Sequence, residues 1–142
     1  MEEERKTDVS RLLREMHPLL HETPVVFCIV RPEDLAALPF EQLGIFQEAE
    51  GTTVIAPAGA AERAGLPCSE RWAHITLQVH SSLSAVGFIA AVAGVLARAG
   101  IAVNPVSAFH HDHLFVQWER REEAMAVLKE LESVGKTHEN TI

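Results

Sequence analysis

The sequence predicts an α+β protein built from two similar units, each an antiparallel sheet with its helices on one face. The second half of the chain reads strand–helix–strand–strand–helix, and the first half offers the same order with shorter helices. Hydrophobic residues make up 47% of the 142 residues, as in a folded globular protein. The predicted divisions are a charged segment with a first helix over 1–15, a first unit over 16–71, a second unit over 72–134 and a polar tail over 135–142.

The first half contains short elements. Their predicted bounds are a helix that Pro18 ends, a buried strand over 25–30, a helical turn over 33–38, strands over 44–50 and 52–56, and a helix over 60–64. Thr7 or Asp8 can cap the first helix. Gly51 lies between two strands and predicts a tight hairpin. The strand that opens the second half can complete the sheet of the first unit.

The second half shows the same order more clearly. A strand over 72–80 alternates apolar residues with polar ones, among them His74 and His80, which predicts one face toward water or a ligand. The later elements are a helix over 83–99 that ends at Gly100, strands over 101–109 and 113–118 joined by a turn at 110–112, and a helix over 121–134.

The predicted helix over 83–99 is apolar nearly all round. Bulky residues form one side, and small residues form the other, namely Gly87, Ala90, Ala91, Gly94 and Ala97. A helix without a polar face needs cover on both sides, and small residues let a neighbour approach closely. The neighbour is the other half of the chain or another subunit, so we expect a homodimer or homotetramer. A helix buried within a monomer is the alternative.

The charge balance restricts the partners. Twenty acidic residues against twelve basic ones give a net charge of -8, which disfavours nucleic acids and anionic membranes. Residues 1–6 lack the apolar region of a secretion signal, and the longest apolar stretch, 83–97, is too short to span a bilayer. We therefore expect a cytoplasmic protein with neither nucleic-acid nor membrane partners.

The two cysteines carry no recognisable motif. Cys28 and Cys68 are forty residues apart, and neither belongs to a CxxC pair. This spacing argues against zinc-binding and redox motifs. Because Cys28 lies inside the apolar run 25–30, a buried, reduced thiol is the favoured interpretation.

Several segments of the chain resemble ACT domains, in particular those of small bacterial ACT-like proteins of unassigned function. The segments that carry the resemblance are Trp72–Gly87, Gly100–Asn104, His110–Val116, Met16–Leu20 and Ile45–Gly51. The resemblance covers about residues 16–134, and its specific part is 74–118. It implies ferredoxin-like βαββαβ units in tandem.

The resemblance also implies a binding site. ACT domains commonly bind amino acids or other small effectors at domain or subunit interfaces, through the loop after the first strand and through the second strand. Gly87 matches the loop glycine. Ser84 stands where many ACT domains have Asp or Asn, and Ala102 stands where many have Asn. Asn104, two residues further along the same strand face, could supply the missing contact. The candidate ligand-binding residues are His80, Ser81, Ser82, Ser84, Val86, Gly87, Ala102, Asn104, His111 and His113.

The residues before the predicted helix support a site independently of the resemblance. His80, Ser81 and Ser82 lead directly into the helix, whose free N–H groups and dipole favour a carboxylate. Ser81 or Ser82 can instead simply cap the helix.

Four of the eight histidines cluster at positions 80, 110, 111 and 113. Zinc requires three or four convergent ligands, and the chain has neither a helical HxxxH pair nor paired cysteines, so we predict no metal or other cofactor. The alternatives are histidines that hydrogen-bond the turn, or contacts from His80 and His111 or His113 to a carboxylate, which would add pH sensitivity.

The sequence lacks the known catalytic motifs. It contains no nucleophile elbow, P-loop, dinucleotide fingerprint or HExxH, and we predict no catalytic residues. The favoured function is a non-catalytic regulatory sensor that holds a small effector, such as an amino acid, between 81–87, 101–104 and a second copy of the fold. The alternatives are a structural or interaction module without a ligand, and a histidine-based metal protein.

Overall fold

The computed structural model describes residues 9–140, with the side chains of residues 9–136. The proposed capping residues Thr7 and Asp8 lie outside this range. In chain order the elements are α1 (9–14), β1 (Pro18–Leu20), β2 (Val25–Val30), a 3-10 helix (Pro32–Ala37), β3 (Gly44–Glu48), β4 (Gly51–Pro57), α2 (Ala58–Arg63), β5 (Trp72–Leu77), α3 (Phe88–Arg98), β6 (Val103–Ser107), β7 (Asp112–Gln117), a second 3-10 helix (Trp118–Arg120) and α4 (Arg121–Asn140).

These elements form two compact units. The continuous unit is Glu22–Trp72, and the discontinuous unit combines residues 9–21 with residues 73–140. Both contain antiparallel strand pairs and helices, so the predicted α+β architecture with tandem ferredoxin-like units is confirmed.

The continuous unit is organised around β4, which pairs antiparallel with β3 on one side and with β2 on the other. The predicted hairpin is therefore confirmed, with its turn just before Gly51. Alternation along β2 directs Val26, Cys28 and Val30 into a small core, while Ile29 is exposed. Trp72 pairs with Val25 and so extends the sheet of this unit, as predicted.

The discontinuous unit has the strand order β1–β5–β7–β6, with α3 and α4 packed together. Phe88, Val92 and Leu96 recur at helical spacing on α3 and lie in the core. The other buried members of this core include Leu12, Met16, Ile75, Leu77, Leu114, Val116, Ala124 and Leu128. The bulky side of α3 is thus covered within the core beside α4, whereas Gly87, Ala90 and Ala97 on the small-residue side are exposed, so the described part of the chain does not itself cover both sides.

The two units divide at 21/22 and 72/73, so residues 16–21, which were assigned to the first predicted unit, belong with the second half. Strand β1 pairs antiparallel with β5, and the Gln78 N–H donates to the Met16 carbonyl at 2.7 Å, which joins residues 9–21 to the second half. Strand β1 was not predicted from the sequence. A three-residue strand is too short to show an alternating pattern, and only its long-range pairing defines it.

Two helices differ from their predicted lengths. The predicted helix over 83–99 begins only at Phe88, because Gly87 adopts a left-handed backbone conformation with φ of +95°. The predicted helix over 121–134 continues to Asn140, beyond Gly135. A Cβ atom at Gly135 would lie 3.3 Å from the Arg14 backbone nitrogen, so a glycine here permits the close approach of α4 to α1.

Among the described residues no helix combines the length and apolarity that a bilayer-spanning segment requires.

Candidate functional site

A cavity of about 110 Å³ lies in the discontinuous unit, where the loop before α3 meets the ends of β6 and β7. The residues that line it are Ser81, Ser82, Leu83, Ala85, Gly87, Phe88, Ile89, Ala90, Ser107 and Asp112. Its wall combines serine hydroxyls, one carboxylate and apolar side chains. Concave sites of this mixed character are typical of small-molecule binding.

Asp112 is the only ionisable residue among those lining the cavity, and it is 4% exposed. Ser81 Oγ donates a hydrogen bond to Asp112 Oδ2 at 2.6 Å, and Ser107 Oγ donates one to Oδ1 at 2.5 Å. A carboxylate has about four acceptor positions. Two hydrogen bonds therefore fix the orientation of Asp112 and leave acceptor capacity for a ligand.

The N-terminus of α3 forms another part of the wall. Gly87 is its N-cap residue, and no side chain among those described donates or accepts a capping hydrogen bond there. Ser82 Oγ instead accepts a hydrogen bond from the Ser84 N–H at 3.0 Å, within the loop. The first N–H groups of a helix have no partner inside the helix, so this wall offers donors and the positive end of the helix dipole.

The left-handed backbone of Gly87 should make this position sensitive to replacement by alanine. We expect Gly87→Ala to lower the free energy of unfolding by about 1–2 kcal/mol, because a left-handed backbone is unfavourable for residues with a Cβ atom. Gly94→Ala is the control: it lies inside α3, and the nearest group to its added Cβ would be the flexible end of Arg98 at 3.4 Å. Alanine favours helix interiors, so this variant should be no less stable than the wild type. Urea denaturation of both variants checks the prediction, and equal losses would contradict it.

The predicted ligand-binding residues fall into separate groups. Ser81, Ser82 and Gly87 line the cavity, whereas Ser84 and Val86 belong to the same loop without lining it. The remaining residues lie outside the cavity lining, namely His80, Ala102, Asn104, His111 and His113.

Two of these residues make contacts with β7. The Ala102 N–H donates to Gln117 Oε1, and Asn104 pairs with Phe115 across the β6–β7 ladder.

Two histidine clusters occupy different places. The rings of His110 and His111 lie 5.4 and 4.8 Å from the His80 ring, beside the turn that joins β6 to β7. His113 instead meets His74, with 2.9 Å between His113 Nδ1 and His74 Nε2. His111 and His113 were predicted as alternative contacts to a carboxylate, but His111 lies beside His80 in the turn, whereas His113 lies beside His74 on β7.

The cluster around His74 is the more buried. His21 stacks on His74 with ring centroids 4.1 Å apart, and Thr76 Oγ1 lies 2.8 Å from His21 Nε2. Burial, followed by repulsion from His21 and His113, lowers the pKa of His74 to about 4. This face of β5 was expected to be open to water or a ligand, yet His74 is only 6% exposed.

Within residues 9–136, no group of three or more His, Cys, Asp or Glu residues is arranged to hold a metal ion.

Sequence reasoning missed Asp112 and Ser107. It assigned Asp112 to a turn and gave it no partner, because the pairing with Ser81 spans 31 residues. The only available signal was an acidic residue within the histidine-rich segment 110–113, and this pattern does not separate a surface aspartate from a buried one.

Comparisons with known proteins support an architecture of two similar units. Two family models, each described as an ACT domain, match residues 6–72 and 68–130. A solved structure from Vibrio cholerae, of a protein of unknown function described as a possible transport protein, shares 39% identity at a TM-score of 0.78. The match covers 89% of this chain and 97% of that one.

Two more distant structures share the fold alone. A protein from Agrobacterium tumefaciens is 15% identical at a TM-score of 0.67, covering 81% of this chain and 87% of its own. The regulatory subunit of aspartate kinase from Thermus thermophilus is 12% identical at a TM-score of 0.60, covering 80% and 95%. A search of curated proteins found no match.

Proposed function

Because this chain belongs to the ACT domain family, whose members are regulatory modules that bind small effectors, we propose that it is a non-catalytic sensor of a small free amino acid. The observation that supports the proposal is the pairing of opposite electrostatic features around one cavity. Asp112 supplies a fixed carboxylate, and the N-terminus of α3 supplies unpaired donors and a positive dipole end.

A free amino acid carries the complementary pair of groups. Its ammonium group can donate to Asp112, as a charge-assisted hydrogen bond. Its carboxylate can accept hydrogen bonds at the start of α3, where anions commonly bind. The hydroxyls of Ser81 and Ser107 hold Asp112 in place, so the carboxylate needs little rearrangement to receive the ligand.

The cavity size restricts the ligand. An apolar cavity of ~150 Å³ accommodates one benzene molecule. The cavity of about 110 Å³ therefore suits a ligand no larger than benzene, with about five or six non-hydrogen atoms, such as glycine or alanine. Phe88 and Ile89 supply an apolar wall against which a methyl group could pack.

Titration calorimetry with single amino acids tests the proposal. We expect the small amino acids to bind, and Asp112→Asn to weaken binding by about tenfold to a hundredfold, because a hydrogen bond to a charged group contributes roughly 1.5–3 kcal/mol. Glu119→Gln is the control, since it removes the same charge from an exposed residue of the second 3-10 helix.

Two outcomes would argue against the proposal. If acetate and propionate bind as well as glycine and alanine, the ammonium group is not recognised. If none of the amino acids binds, a ligand-free interaction module is the better interpretation of this ACT protein.

We also propose that the chain forms a homo-oligomer. Four large apolar side chains of the loop before α3 and of the β6–β7 hairpin are exposed, namely Leu83, Val86, Val106 and Phe109. Contact with a second copy would remove them from water. Size-exclusion chromatography with light scattering measures the subunit number, and a strict monomer at micromolar concentration would contradict the proposal.

A further inference from the structure

The continuous unit brings its two cysteines together. The sulfur atoms of Cys28 and Cys68 lie 3.0 Å apart, and both thiols are free. The two residues face each other in an antiparallel bridge between β2 and the segment that precedes β5. Directly opposite residues of antiparallel strands have Cα atoms about 4.5–5.5 Å apart, which lies within the range that a disulfide spans.

The backbone holds Cys68 in this position. The Ser69 N–H donates to the Phe27 carbonyl at 2.9 Å, and the Phe27 N–H donates back to Ser69 Oγ at 2.9 Å. These reciprocal bonds fix the neighbours of both cysteines. A disulfide bond of about 2.05 Å therefore requires a sulfur movement of only about 1 Å, which side-chain rotation can supply.

The two thiols differ in access. Cys28 is 3% exposed, whereas Cys68 is exposed at the surface. Both line an open depression of about 500 Å³, together with Phe27, Glu48, Thr53 and Ser69 among others. A small reagent can therefore reach Cys68 first, with Cys28 directly behind it.

We propose that Cys28 and Cys68 are a thiol–disulfide redox site that a low-molecular-weight disulfide converts into an intramolecular disulfide. Cys68 loses its proton, and its sulfur attacks the small disulfide, whose S–S bond breaks to release one thiolate. The Cys28 sulfur, after losing its own proton, then attacks Cys68 Sγ and releases the second small thiol. Two electrons pass from the protein thiols to the small disulfide, which leaves as two thiols.

The acidity of Cys28 agrees with this order of events. Burial, followed by the hydrogen bond with Cys68 and the charge of that neighbour, raises the pKa of Cys28 to about 12. The buried thiol is thus protonated at neutral pH and is not the first nucleophile, since thiolates are the reactive species. In the mixed disulfide Cys68 carries no thiolate charge, so this contribution to the pKa of Cys28 is lost at the stage when Cys28 gives up its proton and resolves the mixed disulfide.

Oxidised glutathione and the full chain provide the test. After incubation, free thiols are blocked with a maleimide and the intact mass is measured. The wild type should lose the mass of two hydrogen atoms and take up no maleimide. Cys28→Ser should stop at a mixed disulfide with one glutathione, and Cys68→Ser should not react on the same timescale.

Several results would overturn the proposal: a wild type that retains glutathione on Cys68, a covalent dimer through Cys68, or two thiols that stay free. If circular dichroism shows that Cys28→Ser fails to fold, Cys28→Ala replaces it in the glutathione experiment. The amino-acid sensor and this redox site belong to different units, so either can fail without the other.

A second readout is thermal stability. The disulfide would close a loop of about 40 residues, which restricts the unfolded chain. Oxidised wild type should melt roughly 10 °C above the reduced protein, and dithiothreitol should reverse the shift. Cys28→Ser should show no such rise, and an unchanged melting temperature in fully oxidised wild type would contradict the expected constraint.

Discussion

Replacing Phe88 by alanine is expected to lower the free energy of unfolding by about 4 kcal/mol, among the largest effects of any single substitution. Phe88 is 2% exposed and belongs to the core of the discontinuous unit, where it begins α3. Truncation removes buried apolar surface and leaves a cavity that a packed core fills only in part. Urea denaturation should show a lower midpoint with an unchanged slope.

Phe46→Ala provides the matched control. The chemical change is the same, but Phe46 is 71% exposed on β3. Its free energy of unfolding should change by no more than about 0.5 kcal/mol. Similar losses in both variants would mean that Phe88 is not packed as the structure shows.

Acidification from pH 7 to pH 4.5 is expected to destabilise the protein by roughly 2 kcal/mol through His74. The pKa of His74 is lowered to about 4 by burial and by the neighbouring His21 and His113. An unfolded histidine has a pKa near 6.5. Between these values the unfolded state binds more protons, so stability is complete above pH 6.5 and falls as the pH drops toward 4.

His113 acts in the same direction. Burial lowers its pKa first, His111 and His21 lower it further, and Asp112 opposes the shift. The carboxylates whose pKa is lowered, Glu62 and Glu123, affect stability only below about pH 4.5, since their usual pKa lies there. The window between pH 4.5 and 6.5 therefore reports chiefly on the histidines.

Urea denaturation at pH 7, 5.5 and 4.5 measures the effect, with His74→Phe as the comparison. Phenylalanine keeps a ring between His21 and Phe115 but cannot bind a proton. Its free energy of unfolding should fall less steeply with acidification than that of the wild type. Parallel pH profiles for the two proteins would exclude His74 as the source.

Local patterns in the sequence determined much of the architecture. The alternation along β5 and the helical spacing on α3 and α4 predicted apolar faces, and Ile75, Leu77 and Val92 on these faces are buried. Gly51 between two predicted strands indicated the hairpin, and the repeated element order predicted tandem α+β units. Such features depend on near neighbours in the chain, which is why periodicity and turn chemistry reveal them.

The tertiary structure decided the features that depend on distant pairs. Ser81 reaches Asp112 across 31 residues, and Cys28 meets Cys68 across 40. Strand β1 likewise exists only through its pairing with β5. Burial of a polar face also depends on such contacts, so the alternation along β5 predicted an open histidine face where the folded chain buries His74. A single sequence carries the residue types of these sites, but their proximity arises only when the sheets assemble.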